Sequence, residues 1–300
     1  MNMYNLRLGR MVDDTAQTNW SMEQFYELDH ALMTHFDAAI NLCTISDSIK
    51  KYGKTQQLKD LVGPSIEAAG LTFSMEGLWQ GIKNLFKWIW DKLKAMWNWF
   101  AGLFRSDEKK EKENIAAIQA AEAAAGKDDS LMVKVVDVEP LVGISDQLDK
   151  VESESDSKDP EAVVGYTLEQ IGAWVDEQNK IETDLAKLAE QQKDWEESQK
   201  SMDKKGPIKP AIASAKKAVN VGKKNSTGKK RTANKAAKLK KGVEAAVRKT
   251  NSAPADESRL AAIARGFKKK YQNIKNAILL RNKVSKSVDL TVEVLVKVDK

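Results

Sequence analysis

Residues 85–100 read LFKWIWDKLKAMWNWF, which places four of the chain's eight tryptophans in sixteen positions and breaks the run with four charges. How this stretch is read decides whether the fold is built in a bilayer, around a helical core or against a partner. Rotating by about 100° per residue gathers Gln80, Lys83, Asn84, Lys87, Asp91, Lys94, Asn98 and Arg105 into one arc. Ile82, Leu85, Phe86, Ile89, Leu93, Met96, Phe100, Leu103 and Phe104 fall opposite, with Trp88 and Trp99 at one edge and Trp90 and Trp97 at the other. Only Lys92 is out of place. A spanning helix would hold Lys87, Asp91, Lys92 and Lys94 in mid-bilayer at roughly 2.5–3.5 kcal/mol each, which excludes a simple membrane span. An amphipathic helix over 76–105 is expected instead, opened by Ser74 as N-cap. Its apolar side has three readings: core packing against the N-terminal helices, a lipid headgroup layer, or the groove of a partner. In the latter two, Trp79, Phe86, Trp90, Trp97, Phe100 and Phe104 form the contacting face.

Upstream, Ser21 and Gln24 make a capping box, and Gly53 after SDSIKKY reads as a left-handed C-cap. TQQLKDLVGP reads as a short helix stopped by Gly63 and Pro64. Downstream, RSDEKKEKEN reads as a charged break before the Ala-rich helix that ends at Gly126. LMVKVVDV (131–138) is Val-rich and reads as a strand, and VESESDSKDPEA as an acidic linker. Residues 167–197 carry a heptad, with Ile171, Gln178, Leu185 and Gln192 in one column and Trp174, Ile181, Leu188 and Trp195 in the other. The heptad calls for a helical partner, from the same chain as a hairpin or from a second copy as a homo-oligomer. Residues 256–283 form a second amphipathic helix on Leu260, Ile263, Phe267, Tyr271, Ile274 and Ile278. The end, VDLTVEVLVKV, alternates as a half-buried strand whose natural mate is 131–138.

Charge is divided by segment. Residues 106–200 hold 11 basic and 25 acidic side chains, whereas 201–300 hold 27 basic and 7 acidic. Between 204 and 249 there are 16 Lys or Arg against one acid, Glu244, in a background of Ala, Gly, Asn, Ser and Thr. So few large apolar residues predict a segment that is disordered, or helical only on binding. Lysine without aromatics fits phosphate neutralisation without base reading or stacking. The candidate contacts are Lys216, Lys217, Lys223, Lys224, Lys229, Lys230, Arg231, Lys235, Lys238, Lys240 and Lys241, with Lys268, Lys269 and Lys270. The segment's other outlet is the chain's own acidic region.

Enzymatic signatures fail on inspection. GKKNSTGKK has five residues between Gly222 and Gly228 where a phosphate-binding loop has four, and Lys230 stands where Ser or Thr is needed. Asn225-Ser226-Thr227 is a formal glycosylation sequon, read as an exposed loop. Cys43 reads as a small buried residue, and His30 and His35 share no helix face. With one cysteine and two histidines the sequence offers no zinc ligand set. No catalytic, cofactor or metal residues are expected. The start, MNMYNLRLGRMVDD, lacks a secretory apolar run, which places the chain in a cytoplasm or an assembly built there.

The helix LCTISDSIKKYG, the short helix TQQLKDLVG, the joint SIEAAGL and the Trp-rich stretch from Gly77 to Phe104 together resemble internal head or prohead-core proteins of large tailed bacteriophages. The resemblance covers about the first 105 residues. It implies a non-enzymatic virion structural protein of the head interior, made in the host cytoplasm, whose partners are double-stranded DNA bound without sequence preference and other virion proteins. It also implies trimming by a prohead protease at a small residue, any residue, then Glu. Ser65-Ile66-Glu67 fits, as do Ser21-Met22-Glu23, Ser74-Met75-Glu76 and Gly242-Val243-Glu244. The competing function is a membrane-active protein working through residues 76–105.

The expected fold is mainly α, with a bundle-like N-terminal region (1–75), the Trp-rich and Ala-rich helices (76–126) and a strand with an acidic linker (127–165). A coiled-coil-like helix (166–203), a flexible Lys-rich segment (204–255) and a basic helix with the C-terminal strand (256–300) follow, and the strands make a small two-stranded β element.

Overall fold

A computed structural model describes residues 21–68, 73–103, 105–128, 130–154, 158–202, 204–252 and 256–295. The chain is mainly helical: α1 (Met22–Tyr52), α2 (Gln56–Ala68), α3 (Met75–Leu103), α4 (Arg105–Ala125), α5 (Glu139–Glu154), α6 (Pro160–Val163), α7 (Leu168–Ser201), α8 (Ile208–Ser252) and α9 (Glu257–Glu293). Strands β1 (Met132–Lys134) and β2 (Lys205–Pro207) pair antiparallel, with Val133 opposite Gly206. A Cβ on Gly206 would lie 2.6 Å from Val135 Cγ2, so only glycine admits this approach.

The local signals act as their chemistry requires. Ser21 Oγ accepts from the Gln24 amide at 3.2 Å and Gln24 Oε1 from the Ser21 amide at 2.8 Å. Gly53 ends α1 and donates to the Ile49 carbonyl, but at φ +77° and ψ 176° it is extended with positive φ, a glycine conformation other than the left-handed helical one expected. Ser74 Oγ caps α3 through the Gly77 amide at 3.0 Å.

Two compact units are present, and α3, α7, α8 and α9 each give a portion to both. The first comprises Met1–Trp99, Lys158–Gln178 and Ala236–Tyr271. Here α1 and α3 run antiparallel: Phe25 stacks on Trp99 with centroids 3.9 Å apart, His35 on Trp88 at 3.3 Å, and Ile49 clusters with Leu78. The α9 portion runs antiparallel to α1 through Tyr271 Oη to Asp29 (2.7 Å), Lys268 to Asp37 (2.6 Å) and Lys50 to Glu257 (2.5 Å). Burial pushes the Cys43 thiol on this face of α1 up to about 12, as a core thiol rather than a nucleophile.

The second unit comprises Phe100–Ser157, Asn179–Lys235 and Gln272–Lys300. One apolar cluster joins Leu148 of α5 to Ile181, Leu185 and Leu188 of α7 and to Ala277 and Leu280 of α9. A second gathers Trp195, Ala218, Val221, Val284 and Val288. Trp195 Nε1 donates to the Asp137 carbonyl at 2.7 Å. All eight residues of the two heptad columns of α7 are buried, Ile171, Trp174 and Gln178 in the first unit and the other five in the second.

Several expectations are overturned. The Lys-rich segment is a 45-residue helix, α8, rather than a disordered one. Residues 288–293 continue α9 and are not a strand, so β1 pairs with β2 instead. Val288, Thr291, Val292 and Leu295 lie on one buried side at helical spacing, which a run apolar at nearly every second position satisfies as well as alternation does. Helix α2 passes through Gly63 and Pro64. A mid-helix Pro costs about 3 kcal/mol but stops the helix only where packing does not compensate, and Val62 packs beside Ile49 and Leu78. RSDEKKEKEN is the first half of α4, where Glu113 pairs with Lys109 and Lys110 at helical spacing. The two ends of the acidic linker are helical, residues 151–154 lying in α5 and 160–162 in α6 behind the Asp159 cap. Asn225 is buried within α8, not in an exposed loop.

Candidate nucleic-acid interface

The basic residues were expected on a chain without fixed form, and α8 gives them faces. Pro210 sits in its first turn, where a missing N–H costs nothing, and no second proline interrupts the helix. Within the second unit, Lys209, Lys216, Lys223 and Lys230 recur every seven residues on the exposed side, and beside them run Lys217, Lys224 and Arg231. Seven residues advance about 10.5 Å along a helix, so these are two parallel rows of cations.

Acidic helices flank the rows. From α4, Glu122 meets Lys216 at 2.5 Å and Glu111 meets Lys223 at 3.8 Å. From α5, Glu139 meets Lys217, Asp146 meets Lys224 at 2.5 Å and Asp149 meets Arg231 at 2.7 Å. The order of partners makes α4 antiparallel and α5 parallel to α8. Much of the +20 carried by residues 201–300 therefore faces the chain's own acids. Counted by compact unit, the first holds 21 basic and 19 acidic residues and the second 28 and 24, so the sequence's division by segment nearly vanishes on folding.

The buried side of α8 mixes apolar residues such as Ile208, Ile212, Val219 and Val221 with small ones: Ala211, Ala215, Ala218, Asn225, Gly228 and Thr232. These admit α9. Gly228 lies directly under the Arg281 guanidinium, and a Cβ on Gly222 would stand 3.3 Å from Val288. Arg281, fully buried, donates Nε to Glu152 at 2.8 Å and Nη2 to Asp149 at 2.6 Å, while Nη1 reaches Asn225 Oδ1 at 3.2 Å. The Asn225 amide returns to the Arg281 carbonyl at 2.7 Å and to Ser285 Oγ at 2.8 Å. Thr232 and Lys235 also bond Glu152, one to its carboxylate and the other to its carbonyl.

Of the fourteen candidate contacts, Lys229, Lys235 and Lys270 are buried and are withdrawn as phosphate contacts, because a phosphate cannot reach an enclosed ammonium. Lys216, Lys217, Lys223, Lys224 and Arg231 are exposed in ion pairs. Lys230, Lys238 and Lys241 are exposed, and Lys240, Lys268 and Lys269 are half-buried. Sequence reading missed Asn225, Thr232 and Arg281 as the buried cluster around Glu152. The seven-residue recurrence of Lys was the signal that the segment has an outside, hence an inside.

On α3, Leu78, Ile82, Phe86, Ile89, Leu93, Met96, Trp99 and Phe100 are buried, and Trp79, Trp90 and Trp97 half-buried; Phe104 lies outside the described residues. The misplaced Lys92 is buried with its ammonium 4.9 Å from the Trp88 ring centroid, and burial lowers its pKa. No described helix is long and apolar enough to cross a membrane. Among the described residues no group of three or more His, Cys, Asp or Glu could hold a metal ion. Of the four small-residue-X-Glu sequences, Gly242-Val243-Glu244 has its first two residues buried in mid-helix, whereas Ser21 and Glu23 are exposed. Glu67 is exposed, and the side chain of Ser65 is outside the described ones.

No known family, curated protein or solved structure matches the chain.

Proposed function

We propose that the chain is a non-enzymatic structural protein of a tailed-phage head interior, a helical body that meets packaged double-stranded DNA through phosphates along the solvent face of α8. The observation that carries this reading is the double row of exposed cations from Lys209 to Arg231 on one rigid helix. Their existing pairs do not close the site. The cation side chains keep 49–59% of their surface exposed, and pairs so exposed are worth about 0.2–1 kcal/mol, so a phosphate competes with a carboxylate on nearly equal terms. Near-neutrality of the folded unit limits the attraction to a weak, salt-sensitive one. That suits a protein that shares a volume with DNA without condensing it.

The test is binding of the full chain to a mixed-sequence duplex across a salt series, with a log–log slope of about −0.9 per phosphate held. Lys223→Gln with Lys224→Gln should weaken binding and flatten the slope. Absence of binding at low salt, or strong preference for one sequence, would refute the reading.

The membrane-active alternative gains less support. Lipid would have to displace α1 from the apolar side of α3, including the Phe25–Trp99 and His35–Trp88 stacks.

A further inference from the structure

Arg231 closes one of the two cation rows on α8, and it differs from the lysines before it in both partner and chemistry. Lys216, Lys217, Lys223 and Lys224 each face a carboxylate of their own, on Glu122, Glu139, Glu111 and Asp146, and those acids keep 36–65% of their side-chain surface exposed. Asp149 keeps 16%, and its Oδ1 accepts from Arg231 Nη2 at 2.7 Å and from Arg281 Nη2 at 2.6 Å. A single carboxylate oxygen therefore stands between two guanidinium groups, one at the surface and one fully buried. The buried one is fixed, because Glu152 takes its Nε–H at 2.8 Å and Asn225 its Nη1–H at 3.2 Å. Asp149 is thus neutralised from within the unit, and Arg231 reaches it against the repulsion of a second cation on the same atom. The Arg231 side chain keeps 53% of its surface exposed. Its bond to Asp149 leaves most of the five N–H donors of a guanidinium without a protein acceptor among the described residues.

We infer that Arg231 is the phosphate clamp of the α8 face: its guanidinium takes a DNA phosphodiester in a two-bond fork while Asp149 passes wholly to Arg281. The inference rests on the reading of α8 as the helix that meets DNA, and it adds which residue fixes the position of a phosphate there. The other cations of the two rows are lysines, point charges that attract a phosphate without orienting it, whereas the planar fork of arginine matches two phosphate oxygens at once. Exchange of partners is cheap at this position alone. Releasing Arg231 separates two cations that share one oxygen, and it leaves no acid unpaired, since Arg281 stays on Asp149.

The experiment measures the full chain on a labelled mixed-sequence duplex by fluorescence anisotropy across a salt series, with denaturant unfolding of each variant in parallel. Arg231→Lys keeps the charge and loses the fork, so it should weaken binding about 3–10-fold with the salt slope unchanged. Arg231→Gln should weaken binding further, flatten the slope by about 0.9, and lose more than Lys217→Gln, which removes another cation of the same row. The denaturant midpoint of Arg231→Gln should stay at that of the unmodified chain, because Asp149 keeps Arg281; a surface ion pair with only a structural role would lower the midpoint and spare binding. Arg231→Lys that binds as tightly as the unmodified chain overturns the inference, and this comparison stands whatever Arg231→Gln does. Arg231→Gln that loses no more than Lys217→Gln overturns it too. Either result leaves the α8 rows as a uniform cationic face, with the DNA reading intact. Absence of duplex binding by the unmodified chain at low salt removes both the reading and the clamp.

Discussion

Helix α3 and helix α8 bury one side each with opposite materials. Helix α3 fills space, projecting Leu78, Ile82, Phe86, Ile89, Met96 and Trp99 into the first unit. Helix α8 leaves space, presenting Ala211, Ala215, Ala218, Gly222 and Gly228 so that the side chains of α9 can enter. On α3 the burial is visible in the residues that do the burying. On α8 a few large residues, Ile208, Ile212, Val219 and Val221, are buried too, but where α9 crosses at Gly222 and Gly228 the helix contributes closeness. The two designs should therefore fail in opposite directions: α3 to removal of side-chain volume, α8 to its addition.

The largest effect expected is at the ion cluster that α8 encloses. Arg281→Met leaves Glu152 buried without its main cation and should cost about 3–5 kcal/mol in denaturant unfolding. A cost under about 1 kcal/mol would mean that the cluster is solvated. Next, Phe86→Ala on α3 should cost about 3–5 kcal/mol through lost burial and a cavity. Gly228→Ala on α8 sets two terms against each other, a helix-propensity gain of about 1 kcal/mol and overpacking against Arg281 of about 1–3 kcal/mol. Overpacking should win, because the guanidinium is fixed by Glu152, Asp149 and Asn225. Gly172→Ala on α7, where a Cβ meets nothing within 4 Å, should instead stabilise by about 0.5–1 kcal/mol. If both glycines respond alike, close packing is not what Gly228 provides.

A smaller effect depends on pH. Burial holds the His35 imidazole below its ordinary pKa; the bond to the Ala31 carbonyl opposes this and Lys92 reinforces it. As pH falls below about 6.5 the unfolded chain takes up the proton first, so this contribution to stability is present above that value and lost beneath it. His35→Phe keeps a ring against Trp88 and should make the acid limb of stability against pH shallower. An unchanged limb would remove His35 from the account of the α1–α3 pair. The smallest effect belongs to the rows: Lys224→Ala should cost about 0.2–1 kcal/mol, less at high salt.

The same contrast explains what was legible. Helix α3 announced its inner side through large residues at helical spacing, and α7 through its two heptad columns, all eight of which are buried. The caps at Ser21 and Ser74 and the stop at Gly53 are local chemistry, so they were readable too, though Gly53 takes an extended positive-φ conformation in place of the left-handed one. Helix α8 was read as disordered because Ala, Gly, Asn and Thr carry no sign of burial when their partners, Arg281 and Val288, stand more than fifty residues away. The phosphate face was readable in composition only. Which lysines of α8 turn outward, and that Lys229 and Lys235 turn in, depends on the acids of α4 and α5 and on the course of α9.

The central claim is that residues 208–252 form a packed helix built on small residues, with the lysines as its outer surface. Amide hydrogen exchange of the full chain without nucleic acid tests it most directly. The account predicts that amides from about Ala215 to Thr232 exchange as slowly as those from Ile82 to Met96 in α3, with free energies of opening near that of global unfolding. Exchange of 215–232 at unprotected rates while α3 stays protected would contradict it, and would return the segment to a basic chain that orders only on a partner.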